Sequence, residues 1–360
     1  MNKFWAPALR GLQPYSPGEQ PRVQGLIKLN TNEHPLAPSA RVMAEVQNVT
    51  GDALRRYPDP DGQNLREAIA AAEGLSPEHV FLGNGSDEVL AHIFFGLLSS
   101  EPNLLVPDIT YSFYPVWAQL YGLNLTELPL DGNLAVDIAL FAETPGSILL
   151  ANPNAPTGKA LKLDQLRELI RGNPDRLVVI DEAYYGFGAE SAAALLATSD
   201  NLVVTRSFSK SHALAGMRLG YALASPDLIE GLRRVKDSFN SYPVDALAQA
   251  AGLAAVEDRE WFRTASELVM RNRDALASGL EALGFDVLPS AGNFVFARHA
   301  KLGGKLLFEH LRQHNILVRR WDKSRIADYL RITVGSESDC AALLECLAQK
   351  ILTASDSGGA

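Results

Sequence analysis

The chain has 360 residues, 47% of them hydrophobic, enough for a large core, and its length favours two domains. A formal net charge of −9 argues against a nucleic-acid or anionic-membrane surface, since both need a basic patch. Cys340 and Cys346 are the only cysteines, which excludes a disulfide framework and fits a reducing, cytoplasmic setting.

The opening MNKFWAPALRGLQPYSPGEQP has no continuous apolar run and several prolines, so no signal peptide is expected. Residues 1–25 read as an extended arm. From about 79 to 224, short apolar runs alternate with helix-like stretches: VFL (80–82), NLLV (103–106), SILL (147–150), LVVI (177–180), NLVVT (201–205) and GYALA (220–224). Runs apolar on both faces suit a parallel sheet covered by helices, which predicts an α/β fold. Most are followed by polar turns (GNGSD, PDITY, NPNAPTG, DEAYYG, RSFSK), and ligands of open α/β sheets bind outside the carboxyl ends of strands. VLAHIFFGLL (89–98) is too short to span a bilayer.

After 245 the texture changes. A helix-like stretch of about forty residues (245–283) leads into FDVLP, NFVFA, ILVRR and YLRITVG, then a last helix, which together predict a smaller α+β domain. Ser336 and Asp339 have the spacing of a capping box at that helix's start, and Gly358 and Gly359 sit in a frayed tail. His310 and His314 in EHLRQH are the only histidines at helical spacing; no third ligand is evident, so they read as surface histidines and no metal is expected.

The chemistry concentrates in three turns. Lys210 lies just past a buried run, flanked by Ser207, Ser209 and Ser211, where burial beside a cation would lower its pKa and make it a nucleophile. Asp181 ends LVVI, and a carboxylate there is costly unless it caps a helix or meets a cation. Tyr184 follows three residues later. Gly85, Ser86 and Asp87 open a helix whose unpaired N–H groups suit a phosphate, with Ser207, Ser209 and Arg218 able to complete the cup. GNGSDE has Glu88 where a dinucleotide loop needs its third glycine, and it lacks the GK[ST] of a nucleotide P-loop.

In order, GSDE, TYSFY, NAPTG, DEAY and SFSKSHALAGMRLG resemble the fold-type-I aminotransferases over nearly the whole chain. The resemblance implies pyridoxal 5′-phosphate as cofactor, carried by Lys210 as a Schiff base. It further implies that Asp181 pairs with the pyridine nitrogen, Tyr184 with the ring hydroxyl, and Tyr111 stacks on the ring. Gly85, Ser86, Asp87, Ser207, Ser209 and Arg218 would surround the phosphate, and Tyr57 in RRYPDP would reach a neighbouring subunit's cofactor, implying a homodimer. Ala155 stands where the family has Asn before Pro-Thr-Gly, so either Asn154 supplies that hydrogen bond or Tyr184 acts alone. The domains implied are an arm with part of the small domain (1–45), a large cofactor-binding domain (46–245) and a small domain (246–360).

Within that superfamily LQPYSPGE, KLNTNEHPLAPS, RRYPDPDG, AGNFVFAR, NILVRRWD and YLRITVG resemble the histidinol-phosphate aminotransferases. This implies that Arg331 binds a carboxylate near Asn32 and Asn293, while Arg319, or its neighbour Arg320, joins Tyr15 on a substrate phosphate. Histidinol phosphate and 2-oxoglutarate are the substrates so implied. An aromatic amino-acid aminotransferase and a threonine-phosphate decarboxylase are the alternatives in this fold.

Overall fold

The computed structural model describes residues 3–6 and 9–357. Twelve strands follow in chain order: β1 (Ile27–Lys28), β2 (Val80–Gly83), β3 (Asn103–Pro107), β4 (Asn124–Leu128), β5 (Ser147–Ala151) and β6 (Val178–Asp181), then β7 (Leu202–Ser207), β8 (Gly220–Ala224), β9 (Phe285–Leu288), β10 (Phe294–His299), β11 (Ile316–Leu317) and β12 (Tyr329–Thr333). Seven form one sheet in the order β2-β8-β7-β6-β5-β3-β4. Side chains alternate across it: Ile148, Val178, Ile180 and Val204 enter the core on one face, Leu149, Val179 and Val203 the core on the other. All six apolar runs are strands of this sheet, and the fold is the expected α/β architecture with a smaller second sheet.

The sheet is mostly parallel, and one strand reverses. β8 is antiparallel to both neighbours, β2 and β7. The chain between β7 and β8 makes only a short helix, Phe208–Ser211, and a single 3₁₀ turn, Ala215–Met217, at the carboxyl end of β7. A parallel return needs a crossover helix. β4, NLTEL, extends the sheet at its edge beside β3, and its half-exposed, polar face hides it from an apolar-run search.

The second sheet, β12-β10-β9, is antiparallel, and β1 pairs with β11 in a parallel two-strand patch. The long helical stretch breaks at Asp258, whose carboxylate caps Arg259–Ala282. The preceding helix, Ala246–Glu257, packs on Ala40–Asn48 and Gln63–Glu73 and gives Ala248, Ala251, Ala254 and Ala255 to the large sheet's core. Ser336 Oγ accepts from the Asp339 N–H and Asp339 Oδ2 from the Ser336 N–H, the reciprocal pair of a capping box. Gly358 and Gly359 lie outside the described residues. Residues 12–23 run without helix or strand. Among the described residues, no helix is long and apolar enough to cross a membrane.

Candidate active site

The carboxyl ends of β5, β6 and β7 open onto a cavity of about 410 Å³, closed on its far side by the arm and by β12. Lys210 projects into it from the helix Phe208–Ser211, which follows β7 directly. Burial lowers its pKa to about 8, with Arg331 adding to the effect and Glu33 opposing it. Its Nζ donates to the Thr31 carbonyl at 2.7 Å.

Asp181 is the last residue of β6, held by three donors: Tyr114 Oη at 2.7 Å, Thr205 Oγ1 at 3.1 Å and the Ala183 N–H at 3.2 Å. Burial raises it to about 6 against those bonds, because no cation among the described residues pairs with it. A buried carboxylate held in place yet left without a positive partner is prepared for a positive group from outside the chain.

The wall at β2 is built for an anion. The helix Gly85–Gly96 begins here, and its first N–H groups have no intrahelical partner. Gly85 has φ of +83°, and a Cβ there would sit 2.6 Å from Arg218 Nη2; a Cβ on Gly220 would sit 2.4 Å from Ser86 N. Only glycines let Arg218 and β8 approach the helix start this closely. Ser86, Ser207, Ser209 and Arg218 converge on the cavity, and Arg218 Nη1 is 3.5 Å from Ser209 Oγ. Asp87 faces the cavity as well, but its carboxylate holds Arg218 Nη2 at 3.2 Å and accepts from Tyr111 Oη at 3.3 Å. It therefore orients those two residues; an anion's own contacts fall to the N–H groups, hydroxyls and guanidinium.

Arg319 and Arg331 enter from the opposite side, paired through each other's backbone N–H and C=O as an isolated bridge. Arg331 Nη2 donates to the Asn30 carbonyl at 2.8 Å, while its buried Nε has no hydrogen-bond partner among the described residues. Burial lowers the Arg331 pKa, and Arg319 lowers it further. Two neighbouring cations at one end of a cavity favour anionic ligands. Arg320 turns away, its Nε on the Ala327 carbonyl and its Nη1 on Asp322. Of the pair left open by the sequence, Arg319 lines the cavity, beside Tyr15 and Trp321. Tyr15 stacks on Phe113 with ring centroids 4.7 Å apart.

Asn32, at φ +57°, has its polar groups committed. Its Nδ2 donates to Tyr184 Oη at 2.9 Å, its Oδ1 accepts from Thr333 Oγ1 at 2.9 Å, and its carbonyl accepts from Asn293 Nδ2 at 3.0 Å. With an N–H already pointed at its oxygen, Tyr184 is free to send its own hydrogen into the cavity.

The structure thus brings together Tyr15, Asn32, Ser86, Asp87, Tyr111, Asp181, Tyr184, Ser207, Ser209, Lys210, Arg218, Arg319 and Arg331. Asn154 is elsewhere: its Nδ2 donates to the Ile109 carbonyl and Thr157 Oγ1, and its Oδ1 accepts from Thr110, so no polar atom is left to face the site. Ala155 lines the cavity in its place. Asn293 is buried behind Asn32. Tyr57 is 82% exposed, stacked on Tyr242 away from this cavity. Tyr114, Thr205 and Thr31 join the site only in the structure; of these, Tyr114, three residues beyond Tyr111 in TYSFY, is the one with a local signal in the sequence.

Residues 24–347 match the family model for aminotransferase class I and II. The chain is 54% identical over 351 residues to histidinol-phosphate aminotransferase 1 of Bradyrhizobium diazoefficiens, covering 98% of this chain and 100% of that protein. It is 50% identical over 347 residues to histidinol-phosphate aminotransferase 2 of Thiobacillus denitrificans, covering 96% and 97%. Among solved structures, the histidinol-phosphate aminotransferase of Sinorhizobium meliloti in complex with pyridoxal-5′-phosphate superposes with a TM-score of 0.88 at 23% identity, covering 98% of this chain and 99% of that one. That likeness bears on the fold.

Proposed function

The chain belongs to the class I and II aminotransferases, and from that premise we propose that it moves an amino group between histidinol phosphate and 2-oxoglutarate, with pyridoxal phosphate held at Lys210. The donor set fits this cofactor: a buried amine, a cation-seeking carboxylate and an anion cup open on one cavity. When bound, pyridoxal phosphate supplies an aldehyde that exchanges for the substrate amine and a protonated ring that accepts the electrons released at the α-carbon.

Lys210 would hold the cofactor, and its free amine would move the α-proton of the substrate. A pKa of about 8 leaves part of its amine neutral near pH 7 to act as base and then as acid. Asp181 would keep the ring nitrogen protonated, and Tyr184 would donate to the ring hydroxyl, oriented by Asn32, which we assign to this task and not to substrate. Tyr111 would stack on the ring, and Ser86, Ser207, Ser209 and Arg218 would hold the phosphate. Arg331 takes the carboxylate common to glutamate and 2-oxoglutarate, and Arg319 with Tyr15 takes the phosphate of the second substrate. The exposed Tyr57 supports a homodimer in which it reaches the partner's site. Two free cysteines accord with a cytoplasmic location.

The observation that carries the substrate assignment is the Arg319–Arg331 pair, two cations with an unpaired donor at one end of the cavity. Steady-state kinetics test it. Histidinol phosphate is expected to exceed histidinol in kcat/KM by about thirty-fold to several thousand-fold, the equivalent of roughly 2–5 kcal/mol for a charge-assisted contact. Arg319→Ala should erase most of that preference and spare the glutamate half-reaction, which Arg331→Ala should damage. Faster turnover of phenylpyruvate than of the phosphate ester by the unaltered enzyme would replace this reading with the aromatic one.

A further inference from the structure

His310 and His314 have no part in the site above, and the fold adds what their sequence spacing lacks. The helix Gly304–Gln313 packs against the C-terminal helix Glu337–Ser357, and Cys346 comes to face the two histidines. One ring nitrogen of each and the Cys346 Sγ lie within 4.8 Å of one another. We propose that His310, His314 and Cys346 form a binding site for a divalent transition ion, Zn²⁺ foremost, that clamps these two helices together.

The hydrogen bonds of the imidazoles point the same way. His314 Nδ1 is 2.8 Å from the His310 carbonyl, and His310 Nε2 is 3.2 Å from the Cys346 carbonyl. A carbonyl only accepts, so the nitrogen facing it carries the hydrogen and the other nitrogen of each neutral ring holds a lone pair. Backbone carbonyls that fix the tautomer in this way are the usual outer support of metal-binding histidines.

Two imidazoles and a thiolate are ligands for zinc and its neighbours; calcium and magnesium take oxygen. Bonds of about 2.0–2.3 Å place tetrahedral ligands roughly 3.5 Å apart, so modest side-chain rotations close the observed spread. His314 is exposed, giving an entry path, and water completes the shell. Binding exchanges the Cys346 thiol proton for the metal and releases it to solvent, with no change of oxidation state. Glu345 and Lys350 nearby carry opposite charges, so affinity rests on the three inner ligands.

Calorimetric titration of the holoenzyme with Zn²⁺ tests the site. One ion per chain is expected, with His314→Ala and Cys346→Ser each weakening binding by at least about tenfold and Cys340→Ser leaving it unchanged. In unaltered holoenzyme, Zn²⁺ should slow alkylation of Cys346 relative to Cys340, read by peptide mass mapping, so the test survives a variant that fails to fold. Absence of saturable binding, binding equal in all three variants, or equal protection of both thiols would overturn the proposal.

Discussion

Asp181 and Glu182 are chain neighbours at the end of β6, yet Asp181 meets Tyr114 of one core and Glu182 meets Ala192 of the core on the other face. Glu182 is met by Arg206 Nε at 2.9 Å, both Ser191 Oγ and the Ala192 N–H; Arg206 is also paired with Glu73 at 2.7 Å and lies over the Tyr185 ring. Asp181 receives only neutral donors. Burial lifts both carboxyls, but only Glu182 has a cation to pull it back. The same contrast separates Arg206, raised well above its usual value by its partners, from Lys210, lowered to about 8. One face of the sheet end closes its electrostatics within the chain, and the other leaves them open. The open face is where a ligand stabilises what folding alone does not.

Breaking either side should give different signatures. Lys210→Met should cost the most in function, about 10²–10⁴-fold or more in single-turnover transamination, because it removes both the anchor and the acid/base group. A rate within tenfold of the parent would end its catalytic role. Arg206→Met should cost the most in stability, about 3–5 kcal/mol by urea unfolding, since it strands Glu182 as an unpaired buried charge. A loss under about 1 kcal/mol would mean that the ion pair is not structural.

Asp181→Asn should move stability the other way in cofactor-free protein. Burial raises this carboxyl from 3.8 to about 6, so between those values the folded state keeps a proton that the unfolded state has lost. Its stability cost therefore develops as pH rises from about 4 to 6 and is full at pH 7, where it amounts to about 3 kcal/mol. The asparagine variant should be more stable at pH 7 by up to that amount, with the gain vanishing as pH falls toward 4, while catalysis is lost. A less stable variant at pH 7 would show that Asp181 is already satisfied without ligand. The smallest effect should come from Asn32: Asn32→Gly keeps the positive φ and loses the side-chain bonds to Tyr184 and from Thr333, of which the first bears on the site, about 1 kcal/mol in activation free energy. Asn32→Ala should lose a further 1–2 kcal/mol or so of stability through left-handed backbone strain. Equal stability of the two variants would remove that strain from the account.

Legibility in the sequence followed the same division. Strands apolar on both faces were readable because burial dictates composition, whereas β4 was not, since half its surface meets solvent and edge strands tolerate NLTEL. Lys210, Asp181 and Arg218 stood out in the sequence because charges beside buried runs are costly and their order matches the aminotransferases, and all three line one cavity. Between Asn154 and Tyr184 the sequence left the choice open; the Asn154 amide bonds to Ile109, Thr110 and Thr157, a fact of tertiary packing that no local pattern carries. Tyr114 was marked only by its place in TYSFY and otherwise reads as a core aromatic, while Thr31 was invisible because it acts through its backbone carbonyl, which any residue has.

The most direct test of the open face is to ask which lysine it uses. Borohydride reduction of the purified holoenzyme, followed by proteolysis and peptide mass mapping, fixes the cofactor to the side chain that carries it. The pyridoxyl group is expected on Lys210 alone, with no fixed label in Lys210→Met. Label on any other lysine of the unaltered enzyme, or none, would contradict that expectation.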